Sequence, residues 1–149
     1  EDSHYSALTA IMDGIKNGVT TFIYHHASSY AVTNSLPEIA KSVERLGVKA
    51  SLCYEISDRD GEDIKDAGVL ENFSFIENNK NPDINGLIGL HASFTLSDKT
   101  LQDIVDKNKM ASDIISAIKA KDITKVKMMP FFMNIIKSRL STLDVIRAG

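Results

Sequence analysis

A unit of helix followed by strand recurs through the first hundred residues of this chain, and it restricts the fold more than any other feature. From Ser3 to Asn17, residues Ala7, Leu8, Ile11, Met12 and Ile15 fall at helical spacing, and Gly18 directly after them is a stop signal. Val19 to Tyr24 follows, a β-branched and aromatic run without strong alternation, as expected of a strand covered on both faces. Ser35 then reads as a helix cap, with Pro37 in the first turn and Glu38 at the capping-box position. Ile39, Ala40, Val43 and Leu46 line one face before Gly47. Val48 to Tyr54 is the second strand. Glu62 to Asn78 is the next helix, with Gly68 as its weak point, and Asn85 to Leu90 is the third strand. Ser97 and Asp98 open a further helix through Leu101, Ile104 and Val105.

Strands separated by helices imply parallel pairing through right-handed crossovers, because antiparallel neighbours need no helix between them. The fold class is therefore α/β, with parallel β/α units. A closed barrel and an open doubly wound sheet share this pattern, and periodicity does not separate them. At 149 residues the chain has the length of one domain, short of the roughly 250 residues of a complete eight-fold barrel. Its composition, 43% hydrophobic and 25% charged, fits a soluble globular protein, and no apolar run approaches the ~20 residues of a membrane span. The lone Cys53 has no internal disulfide partner, which fits a cytoplasmic, reducing setting; inside a strand it is read as packing. The chain starts at Glu1 without a leader, so its true N-terminus is expected to be processed away or to lie outside this sequence.

In both architectures ligands bind at the carboxyl ends of parallel strands. Here those ends carry Tyr24-His25-His26, then Tyr54-Glu55 with Ser57-Asp58-Arg59-Asp60 behind it, then His91-Ala92-Ser93-Phe94-Thr95. An imidazole at such an end can ligate a metal, move a proton or hydrogen-bond a substrate while its other nitrogen is held by the scaffold. Adjacent strand residues point to opposite faces, so one of His25 and His26 at most enters a given site, with His26 slightly preferred. Glu55, His91 and that histidine are the candidate substrate-binding residues, expected to converge on one cleft. Asp58, Arg59 and Asp60 read more readily as a solvated turn, and His4 as a surface residue of the first helix. No phosphate loop, paired-cysteine zinc spacing or nucleophile elbow occurs.

Three blocks, Gly18 to Ser28 (GVTTFIYHHAS), Ser51 to Gly61 (SLCYEISDRDG) and Gly89 to Asp98 (GLHASFTLSD), are similar in order and spacing to consecutive blocks of the SsnA-type aminohydrolases. These belong to the amidohydrolase superfamily, near its chlorohydrolase and nucleoside deaminase branch. The resemblance covers about residues 1 to 106. It implies units two to four of a (β/α)8 TIM barrel, in a metal-dependent hydrolase of C–N or C–Cl bonds in cyclic amidines or amides. It also implies a small-molecule substrate and a divalent metal, zinc or iron, in the full-length parent. The family's metal ligands, a His-Xaa-His pair on the first strand, histidines on the fifth and sixth and an aspartate on the eighth, have no counterpart here. This chain is accordingly expected to hold no metal and no catalytic residue of its own, and to be inactive alone. His91 matches a histidine that contacts substrate in relatives, with Ser93 and Phe94 in place of that block's proline and tyrosine. Tyr24 stands where the family pattern has aspartate. The alternative is an autonomous doubly wound α/β domain that binds a small ligand or signals.

The chain changes character near residue 107. Up to Asp106 there are 17 acidic and 8 basic residues, a net −9; beyond it there are 3 and 9, a net +6. A short helical pattern from Met110 to Lys121 and a segment with Phe131, Phe132, Ile135, Ile136, Leu140, Leu143, Val145 and Ile146 do not follow the family, and no histidine occurs after His91. Residues 107–149 are read as a basic helical tail joined at a junction or frameshift. Its dispersed lysines fit the wet face of an amphipathic helix better than a nucleic-acid or membrane-binding element.

Overall fold

The computed structural model describes residues 2–28 and 30–119, with side chains described as far as residue 109. The elements are α1 (Asp2–Lys16), β1 (Thr21–His26), α2 (Ser35–Leu46), β2 (Lys49–Ile56), α3 (Glu62–Asn78), β3 (Ile84–Gly86), β4 (Gly89–Leu90), a 3-10 turn (Ser93–Thr95) and α4 (Asp98–Lys119). The described residues divide into two compact units, the first ending at Ser97 and the second beginning at Asp98.

In the first unit every strand pairing is parallel. β1 lies beside β2, and β2 in turn pairs with β3 and, further along, with β4. Spatial order follows sequence order without reversal among the described strands. Even-numbered strand residues (Phe22, Tyr24, Ala50, Leu52, Tyr54, Ile84) pack with Ala7 and Ile11 of α1, Leu36, Ile39 and Val43 of α2, and Phe75 of α3 in one core, so these three helices cover the same face. The expectation that the first strand is covered on both faces is corrected. Thr21, Ile23 and His25 are exposed and Phe22, Tyr24 and His26 half-buried, with Ile23 79% exposed. The strand's apolar residues misled because β1 has a strand on one side only and helices on one face only within this unit.

Local chemistry explains most element ends. Gly18 and Gly47 have φ of +83° and +65°, left-handed conformations that favour glycine, and the Gly47 N–H returns to Glu44 O at 3.2 Å to close α2. The start of α2 departs from the expected capping box. Asn34, at φ 62°, is the cap residue and makes no side-chain cap bond. The free N–H groups are taken instead by the buried carboxylate of Glu71 on α3, which accepts from Asn34 N and Leu36 N at 2.8 Å each. Glu38 is instead paired with Lys41. His4 is also corrected: it is half-buried between α1 and α2, with Nδ1 2.8 Å from the buried Ser42 hydroxyl. Cys53 is buried, and burial pushes its thiol pKa up.

The expected third strand is split in two. β3 and β4 keep the same register against β2, Leu52 facing Gly86 and Glu55 facing Gly89, but residues 87 and 88 lie between them without strand pairing. Gly68 is less a weak point of α3 than a requirement of packing. A Cβ there would lie 3.1 Å from the Tyr54 ring and 3.2 Å from Glu55 O, tight enough that helix and strand would have to part by a few tenths of an ångström.

In the second unit α4 runs unbroken through residue 107, where the charge changes, and carries Lys99–Asp103 and Gln102–Asp106 pairs at i,i+4. The helical pattern from Met110 therefore continues α4 as far as Lys119. The remainder of the expected tail, from residue 120, lies outside the described residues.

Candidate functional site

Parallel pairing brings the ends of β1, β2 and β4 to one end of the sheet, so His25, His26, Glu55 and His91 share that end. Only Glu55 and His91 meet. They line a cleft of about 310 Å3 together with Ala27, Ser28, Tyr54, Ser57, Arg59, Asp60 and Ile64. His91 Nε2 stands 3.9 Å from Glu55 Oε2, too far for a direct hydrogen bond but close enough for attraction whenever the ring is charged.

The ring of His91 is oriented by its own loop. The Thr95 hydroxyl donates to Ala92 O at 2.7 Å, so at 2.8 Å from His91 Nδ1 the hydroxyl oxygen is left to accept. The contact holds the ring through Nδ1 and leaves Nε2 facing Glu55 and the cleft. The loop is anchored in turn: His91 N–H donates to Ile56 O at 3.0 Å, Asp58 N–H to Thr95 O at 2.9 Å, and Ser97 N–H to Asp58 Oδ2 at 2.6 Å.

Glu55, the first outward-pointing carboxylate beyond the buried Tyr54, is gripped by Arg59, whose Nε also donates to Ser57 Oγ at 3.0 Å. The Ser57-to-Asp60 turn therefore builds one wall of the cleft. Tyr54 ties in another part of the lining. Its hydroxyl donates to Ser28 O at 2.8 Å, joining the loop after β1 to β2, and burial raises its pKa.

His25 and His26 point to opposite faces, as alternation requires. His25 is exposed on the face opposite the helices, with the buried Cys53 as its register partner, and that face also carries Glu55. His26 is on the helix-covered face between Tyr24 and Tyr54, with ring centroids 6.3 and 5.8 Å away. Its Nε2 is buried without a hydrogen-bond partner in the structure, and desolvation lowers its pKa. Neither lines the cleft.

Among the described residues no three His, Cys, Asp or Glu side chains come together as a metal-holding group. The cleft is lined by one imidazole, that of His91, and by two carboxylates, Glu55, already committed to Arg59, and Asp60, and these do not gather around one point. This donor set does not fit a catalytic zinc, which needs about three protein ligands.

Two archaeal proteins are similar to this chain. One, from Thermococcus sibiricus, is named 5-methylthioadenosine/S-adenosylhomocysteine deaminase and is 32% identical over 109 residues, covering 70% of this chain and 24% of that protein. Another of the same name, from Pyrococcus abyssi, is 23% identical over 134 residues, covering 87% of this chain and 29% of that protein. These similarities support an amidohydrolase-family relationship. The chain spans about a quarter of the length of these relatives. No protein-family model and no solved structure matches it. Among the described residues no helix is long and apolar enough to cross a membrane.

Sequence reasoning passed over Glu71 and Asn72, which organise the surroundings of the site from α3. No signal in the sequence marked them: the apolar Leu70 is 52% exposed, while the polar Glu71 and Asn72 that follow it are buried.

Proposed function

We propose that this chain is a sector of a (β/α)8 amidohydrolase barrel, with the cleft at its strand ends forming part of the substrate wall of a longer parent enzyme. The parent would hydrolyse the exocyclic C–N bond of a purine nucleoside thioether, the substrate class in the names of the two relatives. Water adds to the amidine carbon, the C–N bond breaks, and the leaving nitrogen takes a proton to depart as ammonia. The SsnA-type blocks at residues 18–28, 51–61 and 89–98 support the same superfamily. Sequential parallel strands with three helices on one face are what a sector of such a barrel would have.

The observation that carries this reading is His91, oriented through Nδ1 by Thr95 and presenting Nε2 across the cleft from Glu55. A neutral Nε2 accepts a hydrogen bond from a substrate N–H or O–H; a charged one donates to oxygen that gains negative charge. Glu55, held in place by Arg59, accepts from hydroxyls or an ammonium group. His25, on the Glu55 face, is the second imidazole available to a larger site; His26 serves packing. The divalent metal of the family, zinc or iron, would be held by other residues of the parent.

The test compares the dialysed 149-residue chain with the parent for metal content and for ammonia released from 5′-methylthioadenosine. We expect near-stoichiometric metal and turnover in the parent and neither in the chain. A chain that holds close to one zinc, lost on His25→Ala with His91→Ala, or a parent that releases no ammonia, overturns the proposal.

A further inference from the structure

The spacing of Glu55 and His91 depends on a residue that touches neither side chain. Tyr54, directly before Glu55, turns its backbone N–H and C=O toward the gap between β3 and β4, where no strand pairs with it. The ladder on either side is regular: Leu52 O accepts from Leu87 N–H at 2.9 Å and Ile56 O from His91 N–H at 3.0 Å. By that pattern Tyr54 O would accept from Gly89 N–H. The fully buried side chain of Asn72 is inserted there instead. Its Oδ1 accepts from Tyr54 N–H at 2.8 Å and from Gly89 N–H at 3.3 Å, while Nδ2 donates to Tyr54 O and to Gly68 O at 2.8 Å each. All four hydrogen-bonding positions of the amide are used.

We propose that Asn72 is a positioning residue: its amide stands in for the strand peptide missing between β3 and β4 and so fixes the distance between Glu55 and His91. The inference rests on the reading of those two residues as a substrate-facing pair. β4 has only two residues, and His91 follows it directly. One residue from Glu55 and two from His91, the Asn72 amide is bonded to both strands at once, so losing it frees β4 to move from β2 and carries the imidazole with it. Two glycines make the insertion sterically possible. Gly68 lets α3 approach, and at Gly89 a Cβ would fall 2.3 Å from Tyr54 O.

The experiment uses NMR on the isotope-labelled 149-residue chain. In the unaltered chain the Asn72 side-chain amide protons should exchange with solvent at least a hundredfold more slowly than those of the exposed Asn78 amide. Asn72→Leu keeps the volume and removes every hydrogen bond. It should speed exchange of the Tyr54 and Gly89 N–H groups at least tenfold and abolish the nuclear Overhauser contacts between the His91 ring and the Glu55 side chain. The Ala50 N–H, bonded to Asp83 O at 3.0 Å, should keep its protection, which separates local displacement from general loosening. Fast exchange of the Asn72 amide in the unaltered chain overturns the inference, even where the variant does not fold, and slow exchange supports it. A folded variant with the His91–Glu55 contacts intact also overturns it. None of these readouts involves turnover, so a parent without deaminase activity would sink the functional reading and leave this result standing.

Discussion

Replacing Glu71 by alanine should destabilise the chain by removing the partner of the free N–H groups at the start of α2. The Glu71 carboxylate is 7% exposed and accepts two backbone N–H bonds of 2.8 Å at the start of α2, with the Ser35 hydroxyl 3.5 Å away. A hydrogen bond to a charged acceptor contributes roughly 1.5–3 kcal/mol, and loss of an ordinary helix cap costs about 0.5–2 kcal/mol. A negative charge at a helix N-terminus adds roughly 0.3–1 kcal/mol. These contributions overlap, and water entering the vacated space recovers part of the loss. The expected cost is about 3 kcal/mol, equivalent to a fall in Tm of roughly 10 °C for a domain of this size. Glu71→Gln keeps one acceptor oxygen and should lose about half as much. Urea unfolding followed by circular dichroism measures both, with the denaturant slope unchanged if the loss lies in the native state. A loss below about 0.5 kcal/mol for Glu71→Ala would refute the assignment of Glu71 as the long-range cap of α2.

Gly68→Ala should cost stability although alanine favours helices by about 1 kcal/mol, because its methyl meets the Tyr54 ring and Glu55 O; unfolding midpoints give the sign. Gly47→Ala should cost about 1 kcal/mol from backbone strain alone, since nothing lies within 4 Å of the added methyl. His26 has its pKa lowered by burial, so the unfolded chain binds its proton more readily. Its contribution to stability is present above the ordinary histidine pKa of about 6.5 and is lost as pH falls through the lower folded value. Urea midpoints at pH 7.5 and 5.0 should therefore fall less in His26→Phe than in the unaltered chain. Cys53, buried and with its thiol pKa raised, should react with a disulfide reagent only after denaturant is added, and rapid labelling of the native chain would contradict its placement.

The alternation of helices and strands was legible because each half of the unit has its own period, and glycines mark its turns: α2 buries Ile39, Ala40 and Val43 at the expected helical spacing, and Gly47 closes it. The carboxyl-end location of Glu55 and His91 followed from parallel pairing alone. What could not be read depends on contacts distant in sequence. Ser35 and Glu38 carry the local signature of a capping box, but Glu71, more than thirty residues away, makes a stronger bond to the same N–H groups. Residues 85–90 look like one strand; the break between Gly86 and Gly89 is set by the Asn72 amide on another element. His25 and His26 were recognisably divided between two faces, but which face holds the helices is decided by the packing of α1, α2 and α3.

The central claim is that His91 faces substrate in a C–N hydrolase, and steady-state ammonia release by the parent enzyme tests it most directly. With 5′-methylthioadenosine as substrate, His91→Ala should lower kcat/KM at least a hundredfold, the cost of about 3 kcal/mol of polar contact at the reacting end. Bound metal should stay unchanged, since His91 is assigned to the substrate and not to the metal. A variant with undiminished kcat/KM, or one that loses its metal along with its activity, would contradict the account.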